Sequence, residues 1–289
     1  MKLPLFLLFL IASVYAVVES VTSLDQFYDK VNDFDPANPR YVVVKYYTNW
    51  CHHCKKLKPV FEQLSESPVL DQMPVIDPAL TKGSQFTFFE VECELFGSVL
   101  CSRLEGYPAV EVIKPLRAEL DIKRGDEGKN WFGRVIHRIL NGGLNPRWVL
   151  DSRRVVTFEG NRDLDVFERF LERVVEQDQW ERLVDVITSD ECPAEDDLCK
   201  QGREYYLSMY DDAEYEKKLE ELEKEIAAST SVPKELTLKY QILNKIYELN
   251  HPTTFVEPEF DPVEAAMAAG MFKDDSEPEL NTQLRQDEL

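Results

Sequence analysis

An α/β fold is predicted for this chain, and three observations carry that prediction. Val42-Val43-Val44-Lys45-Tyr46-Tyr47 is a β-branched and aromatic run suited to a buried strand. It is followed by Cys54 to about Ser65, where Leu57, Val60, Phe61 and Leu64 fall at helical spacing. The alternation then repeats along the chain, which favours mixed β and α order in one sandwich.

Taken in order, a short unit at Val21-Thr22 precedes a helix that starts after Ser23. A second strong strand is expected over Phe86 to Val91, with a short helix from about Leu95 to Leu104. A third strand, Ala109 to Ile113, follows Gly106-Tyr107-Pro108. A fourth, Val155 to Phe158, precedes a helix from about Leu164 to Val175. Between Lys114 and Arg153 lies an insertion too long for an ordinary loop. It carries an apolar helical segment built on Trp131, Phe132, Val135, Ile136, Ile139 and Leu140, stopped by Asn141-Gly142-Gly143.

Beyond residue 178 the pattern is helical and charged. Tyr215, Leu219, Leu222 and Ile226 share one stripe, and Leu236, Ile242, Leu243 and Ile246 a second, with Ser229 to Pro233 between them. Two antiparallel helices packed through these stripes account for the pattern. Nothing in this hairpin carries catalytic chemistry.

The chain has 289 residues, which is one to two domains, and 44% apolar residues supply a sizeable core. A formal net charge of −21 repels phosphate backbones and argues against nucleic-acid binding. Residues 251–289 alone hold ten Asp/Glu against two Lys/Arg and read as a solvated, disordered acidic tail.

Both ends carry address signals. Met1-Lys2 followed by a leucine-rich run to Val18 reads as a secretory signal peptide cleaved near Ala16; the run is short for a membrane span. No second long apolar run follows, so no membrane span is expected in the mature chain. The last residues, Gln286-Asp287-Glu288-Leu289, are similar to endoplasmic-reticulum retrieval signals and predict a retrieval receptor as partner. The two signals together place the protein in the reticulum lumen, where disulfides persist.

The chemistry lies in Trp50-Cys51-His52-His53-Cys54, directly after the first strong strand and opening a helix. Cys-x-x-Cys in that context is a thiol–disulfide exchange motif. Cys51 falls at the helix N-terminus, where free amide donors stabilise a thiolate, and Cys54 lies one turn inside. A stabilised thiolate is a good leaving group, so such a disulfide is readily given up to substrate. His53 offers a polar or cationic neighbour to the pair. Zinc binding is the competing reading of Cys and His at this spacing, but no second Cys-x-x-Cys supports it.

The run YYTNWCHHCKKLKPVF resembles the active site of the protein disulfide isomerases, and residues of about 20–177 are similar in order to a thioredoxin domain. The resemblance is closest to small fungal homologues with one thioredoxin domain and an acidic helical C-terminal region. It implies a thioredoxin fold with an insertion of about 115–152 before the last strand, a helical region with hairpin over 178–250, and the acidic tail. It also implies a cis Pro108 facing the cysteines, with the Tyr107 backbone free to pair with an extended peptide. Pro59 matches a helix-kinking proline, and Arg162 aligns with an arginine that approaches Cys54. One position departs. Six residues before Cys51, where such domains place a buried acid that relays the Cys54 proton, this chain has Lys45. A charged Lys45 would favour the Cys54 thiolate, a neutral one could accept its proton, or its stem could simply pack.

The resemblance further implies a structural disulfide between Cys93 and Cys101, worth about 2.5 kcal/mol in the chain-entropy model. Cys192 and Cys199, in the loop-like DECPAEDDLC segment, are expected to form a local staple. The function that follows is disulfide formation and rearrangement in secretory proteins, with unfolded clients and an oxidase or glutathione as redox partners. No bound cofactor is implied, because the electrons travel through sulfur. The insertion and helical region also leave room for a different class, a redox-dependent binding or escort module in quality control.

Overall fold

The computed structural model describes residues 18–120, 148–210, 214–229 and 232–251. The expected signal peptide, the apolar segment at Trp131–Leu140 and the acidic tail lie outside them.

Five strands form one mixed sheet in the order β1-β3-β2-β4-β5. They are β1 (Val18–Ser20), β2 (Arg40–Tyr47), β3 (Gln85–Glu92), β4 (Ala109–Ile113) and β5 (Val155–Thr157). β1 and β2 run parallel to β3, whereas β4 is antiparallel to both β2 and β5. The helices are α1 (Leu24–Val31), α2 (His52–Ser65), the single turn α3 (Cys93–Phe96), α4 (Leu164–Ser189), α5 (Asp197–Met209), α6 (Tyr215–Ala228) and α7 (Lys234–Asn250).

β2 is central and almost wholly buried, so its alternating side chains feed two cores. Tyr41 and Val43 face α2 and α4, meeting Leu57, Phe61, Leu64, Phe88, Phe167 and Leu171. Val42, Val44 and Tyr46 face the opposite side with Phe27, Tyr28, Phe89 and Val91. Ser23 caps α1 by accepting the Gln26 amide at 3.1 Å, as its position before an apolar-periodic run requires. The helix expected over Leu95 to Leu104 is shorter than its apolar spacing suggested. It stops at Phe96, and the Cys93–Cys101 disulfide closes the following turns.

The largest difference from expectation is α4. The sequence pattern predicts an end near Val175, but the helix runs unbroken for 26 residues through the polar stretch Glu176-Gln177-Asp178-Gln179. The boundary expected at 177 therefore falls inside one helix. Its polar residues are neutralised by tertiary partners. Asp178 is fully buried and accepts the Tyr41 hydroxyl at 2.7 Å and Arg182 Nε at 2.9 Å, and it lies 2.9 Å from Arg117 Nη2. Gln179 accepts the Ile76 amide at 2.7 Å and donates to the Pro74 carbonyl at 2.7 Å. The second half of α4 carries Trp180, Leu183, Val184 and Ile187 into a third core shared with α5, α6 and α7. In α7 the deeply buried stripe is Leu238, Ile242, Leu243 and Ile246; Leu236, the expected first member, is only half-buried. Gly202 of α5 lies so close to α4 that an added Cβ would come 2.5 Å from Ile187 Cδ1.

The loop before β3 meets the start of α5 through two buried carboxyls. Asp77 Oδ1 accepts the Ala79 amide at 2.8 Å, and Asp196 Oδ1 caps α5 by accepting the Cys199 amide at 2.9 Å. Among the described residues no donor reaches the second oxygen of either group. Burial, reinforced by the Asp196 carboxyl, pushes Asp77 up to about 6. A raised folded-state value means the native state holds a proton that the unfolded chain loses near pH 4. This contribution to stability is fully present below about pH 4 and is lost as pH rises through about 6. Asp77→Asn can keep the Ala79 bond while removing the second charge. It is expected to raise stability at pH 7.5 by about 1 kcal/mol and leave it little changed at pH 4. Urea unfolding at the two pH values checks this; an equal effect at both would refute it.

Candidate active site

β2 ends at Tyr47, and the chain turns through Thr48-Asn49-Trp50 into α2. Cys51 is the N-cap of α2, in extended backbone conformation, and its sulfur accepts the Cys54 amide at 3.1 Å. The cap role usually filled by a serine or aspartate oxygen is here taken by sulfur, which points free helix amides and the positive dipole end at Cys51. Cys51 and Cys54 form a disulfide with Cα atoms 5.3 Å apart, and both are largely buried. Trp50 is 70% exposed beside them.

The loop before β4 closes the site from the other side. Tyr107–Pro108 is a cis peptide, and the Cys51 sulfur lies 3.7 Å from the Tyr107 carbonyl oxygen. Pro108 is buried while Tyr107 is half-buried at the surface. Arg162, just before α4, is exposed and donates from Nη2 to the Pro108 carbonyl at 3.3 Å. The structure thus engages Arg162 with the cis-proline loop. His53 and its neighbour His52 are exposed on the first turn of α2, with ring centroids 6.1 Å apart. Pro59 sits within α2 on its exposed side.

Lys45 lies on the face of β2 that carries Tyr41 and Val43, beneath α2, and is only 2% exposed. Its ammonium reaches Glu90 Oε2 at 2.9 Å and stands 5.1 Å from the Phe61 ring centroid. The register of β2 and β3 sets Lys45 directly opposite Glu90. Burial works to raise the Glu90 carboxyl, but the hydrogen bonds from Lys45 and Ser20 outweigh it and hold the group below its usual range. Lys45 is therefore a member of a buried ion pair, and its head does not run out to solvent. Glu90 was not singled out from sequence, since only the strand register brings it to Lys45.

Cys93–Cys101 and Cys192–Cys199 are both disulfides, remote from the exchange pair in sequence. The first ties α3 to the loop that follows it, and the second closes the segment between α4 and α5. Among the described residues no group of three or more His, Cys, Asp or Glu is placed to hold a metal ion. None of the described helices is long and apolar enough to cross a membrane.

The fold and the cysteine pair together make this chain a thioredoxin-fold redox protein. Residues 18–130 match the family model described as thioredoxin, and the chain accordingly carries a thioredoxin domain. Among solved structures the chain is similar to the thioredoxin Mala s 13 of Malassezia sympodialis, at 21% identity and a TM-score of 0.24. That match covers 34% of this chain and 70% of the other. It is also similar to the zinc-bound form of human ERp44, at 14% identity, covering 54% of this chain and 31% of that one, with a TM-score of 0.32. A third similarity is to the first thioredoxin domain of mouse protein disulfide-isomerase A4, at 16% identity, covering 56% and 76%, with a TM-score of 0.29.

Proposed function

We propose that the protein forms and rearranges disulfide bonds in secretory proteins within the endoplasmic reticulum lumen. The observation that carries the exchange chemistry is the Cys51 sulfur capping α2, where it accepts an amide hydrogen bond. A substrate thiolate attacks Cys51 Sγ, the Cys51–Cys54 bond breaks, and Cys54 leaves as a thiolate that takes up a proton. A second substrate thiolate then attacks the substrate sulfur of the mixed disulfide and expels Cys51 as a thiolate. Two electrons and no oxygen atoms move, so sulfur chemistry suffices without a bound cofactor. The helix amides stabilise the departing Cys51 thiolate, while Tyr107 and Pro108 position the substrate strand. His53 adds a polar neighbour, and Arg162 supports the cis-proline loop from its Pro108 contact.

The luminal setting rests on the terminal address signals, Gln286-Asp287-Glu288-Leu289 among them. Equilibration of Cys51–Cys54 with glutathione tests the activity. A reduction potential near or above about −180 to −210 mV supports the oxidase and isomerase reading. A value well below that range would make the protein a reductant or a permanently oxidised binding module.

Lys45 is proposed to act on the exchange pair through its buried position beneath α2, where Glu90 fixes its ammonium at 2.9 Å. Lys45→Met is expected to slow turnover of the mixed disulfide by about 10²-fold, the low end of the range for a lost acid–base group. Unchanged release rates across pH 6–8 would remove Lys45 from the mechanism.

A further inference from the structure

The rim of the site on the β3–α3 side is both apolar and acidic. Trp50 and Leu95 are the two most exposed large apolar side chains among the described residues, each at 70%. They stand on neighbouring pieces of chain. The Asn49 amide donates to Glu94 Oε2 at 3.1 Å, and Asn49 Nδ2 donates to Glu92 Oε1. These bonds tie the loop that carries Trp50 to the single turn that carries Leu95. The following Phe96 is half-buried against the core and Cys93 is held by its disulfide, so Leu95 is the residue left facing outward.

The charge of this rim is uncompensated. Glu90 is neutralised by Lys45, but Glu92 and Glu94 bond to the neutral Asn49, and no Lys or Arg pairs with either among the described residues. Tyr47, at the end of β2 opposite Glu92, lies in the same field. Burial raises its phenol and the charges of Glu90, Glu92 and Glu94 raise it further. The first turns of α2, which open at the cysteine pair, carry the opposite charge, with Lys55 and Lys56 exposed. The surface around the site thus has a basic stretch on α2 and an acidic rim at the end of β3, and the loop carrying the large exposed apolar Trp50 is tied to the acidic rim beside Leu95.

We infer that Trp50, Leu95, Glu92 and Glu94 form a docking surface for a cysteine-bearing peptide segment that carries an apolar side chain together with Lys or Arg. The inference rests on the thiol–disulfide exchange reading and names its substrate class. An extended segment whose cysteine meets Cys51 has its flanking residues within reach of this rim. An apolar flank covers Trp50 and Leu95, and a basic flank meets the Glu92 and Glu94 carboxylates, which have no cationic partner among the described residues. Electrostatic steering then acts mainly on the encounter rate and weakens with salt. The covalent steps are those of the exchange itself: two peptide thiols are oxidised, and Cys51–Cys54 is reduced to two thiols.

The experiment uses the oxidised full chain and dithiol peptides that differ only beside the cysteines. One peptide has leucine and two lysines, a second leucine and two glutamates, and a third glycine and two lysines. Each oxidation rate is divided by that peptide's rate with hydroxyethyl disulfide, which removes differences in thiol acidity. At low salt the lysine peptide is expected to react about tenfold faster than the glutamate peptide, and the gap should shrink towards twofold at high salt. The double variant Glu92→Gln/Glu94→Gln, whose glutamines can still accept from Asn49, should lose most of that ratio. Leu95→Ser should reduce the preference for leucine over glycine by about fivefold.

A normalised ratio within twofold for the native chain overturns the inference, as does a ratio unchanged in the double variant. Faster reaction of the glutamate peptide also overturns it and places docking on the α2 side. If a variant fails to fold, the salt dependence of the native chain still decides. Failure to oxidise any of the peptides refutes the exchange reading itself, and the docking surface with it.

Discussion

Replacing Asp178 with alanine is expected to lower unfolding stability by about 3–5 kcal/mol, the range for removing one partner from a buried charge cluster. The carboxylate is fully buried at the middle of α4, accepts hydrogen bonds from Tyr41 and Arg182, and lies 2.9 Å from the Arg117 guanidinium. Without it the Tyr41 hydroxyl loses its acceptor inside the core, and Arg117 and Arg182 lose the charge between them. Arg182 also donates to the Pro115 carbonyl at 3.1 Å, and Arg117 also pairs with Glu181 at 2.7 Å, so each retains a partner. The stranded phenol and the lost counter-charge between two partly buried guanidiniums carry the cost. Asp178→Asn keeps an acceptor for Tyr41 and should lose less. Urea unfolding checks both variants, and a loss below about 1 kcal/mol for the alanine variant would show that the cluster is solvated.

The second large effect is kinetic. Cys51→Ser is expected to abolish exchange with peptide dithiols, because the attacked sulfur is gone. Cys54→Ala, given a disulfide-bonded peptide, should instead accumulate mixed disulfides: the Cys51 thiolate opens the peptide disulfide, and the Cys54 thiolate that would attack Cys51 and release the peptide as a dithiol is missing. The two Cα atoms are 5.3 Å apart, so Cys54 resolves a mixed disulfide intramolecularly. Intramolecular groups act with effective molarities of about 10⁵ M and above, whereas external thiols are millimolar. Release should therefore slow by at least about 10³-fold even after allowing generously for imperfect geometry. Thiol trapping followed by gel electrophoresis reads the outcome. Greater trapping by Cys51→Ser than by Cys54→Ala would reverse the assignment of attacked and resolving cysteine, and equal trapping would remove it.

Much of the sheet and the position of the exchange pair were legible because they rest on local signals. β2 is a continuous β-branched run, and Cys-x-x-Cys at a strand–helix junction places one sulfur on a helix N-terminus whatever follows. The cis peptide at Pro108 followed from resemblance, and the structure has it. What could not be read was anything set by partners distant in sequence. α4 continues through Glu176-Gln177-Asp178-Gln179 because Tyr41, Arg117 and Ile76 answer the side chains of Asp178 and Gln179, and those lie 60 or more residues away. Lys45 looked like an isolated departure until the β2–β3 register supplied Glu90. Asp77 and Asp196 likewise become a pair only in the folded chain. Leu236 and Leu238 both fit a helical stripe, and the choice between them needed the actual packing of α7 on α4 and α5.

The continuity of α4 has a consequence for how the molecule comes apart. One half of the helix completes the core under the sheet, and the other half is the wall on which α5 and α7 pack. A chain cut at residue 177 would end in mid-helix and leave Trp180, Leu183, Val184 and Ile187 with the fragment that has no sheet. Neither fragment would inherit a finished surface. The redox unit and the helical arm are accordingly one cooperative body, expected to melt in a single transition. The exchange site is not a cassette that can be lifted from its helical arm and used alone.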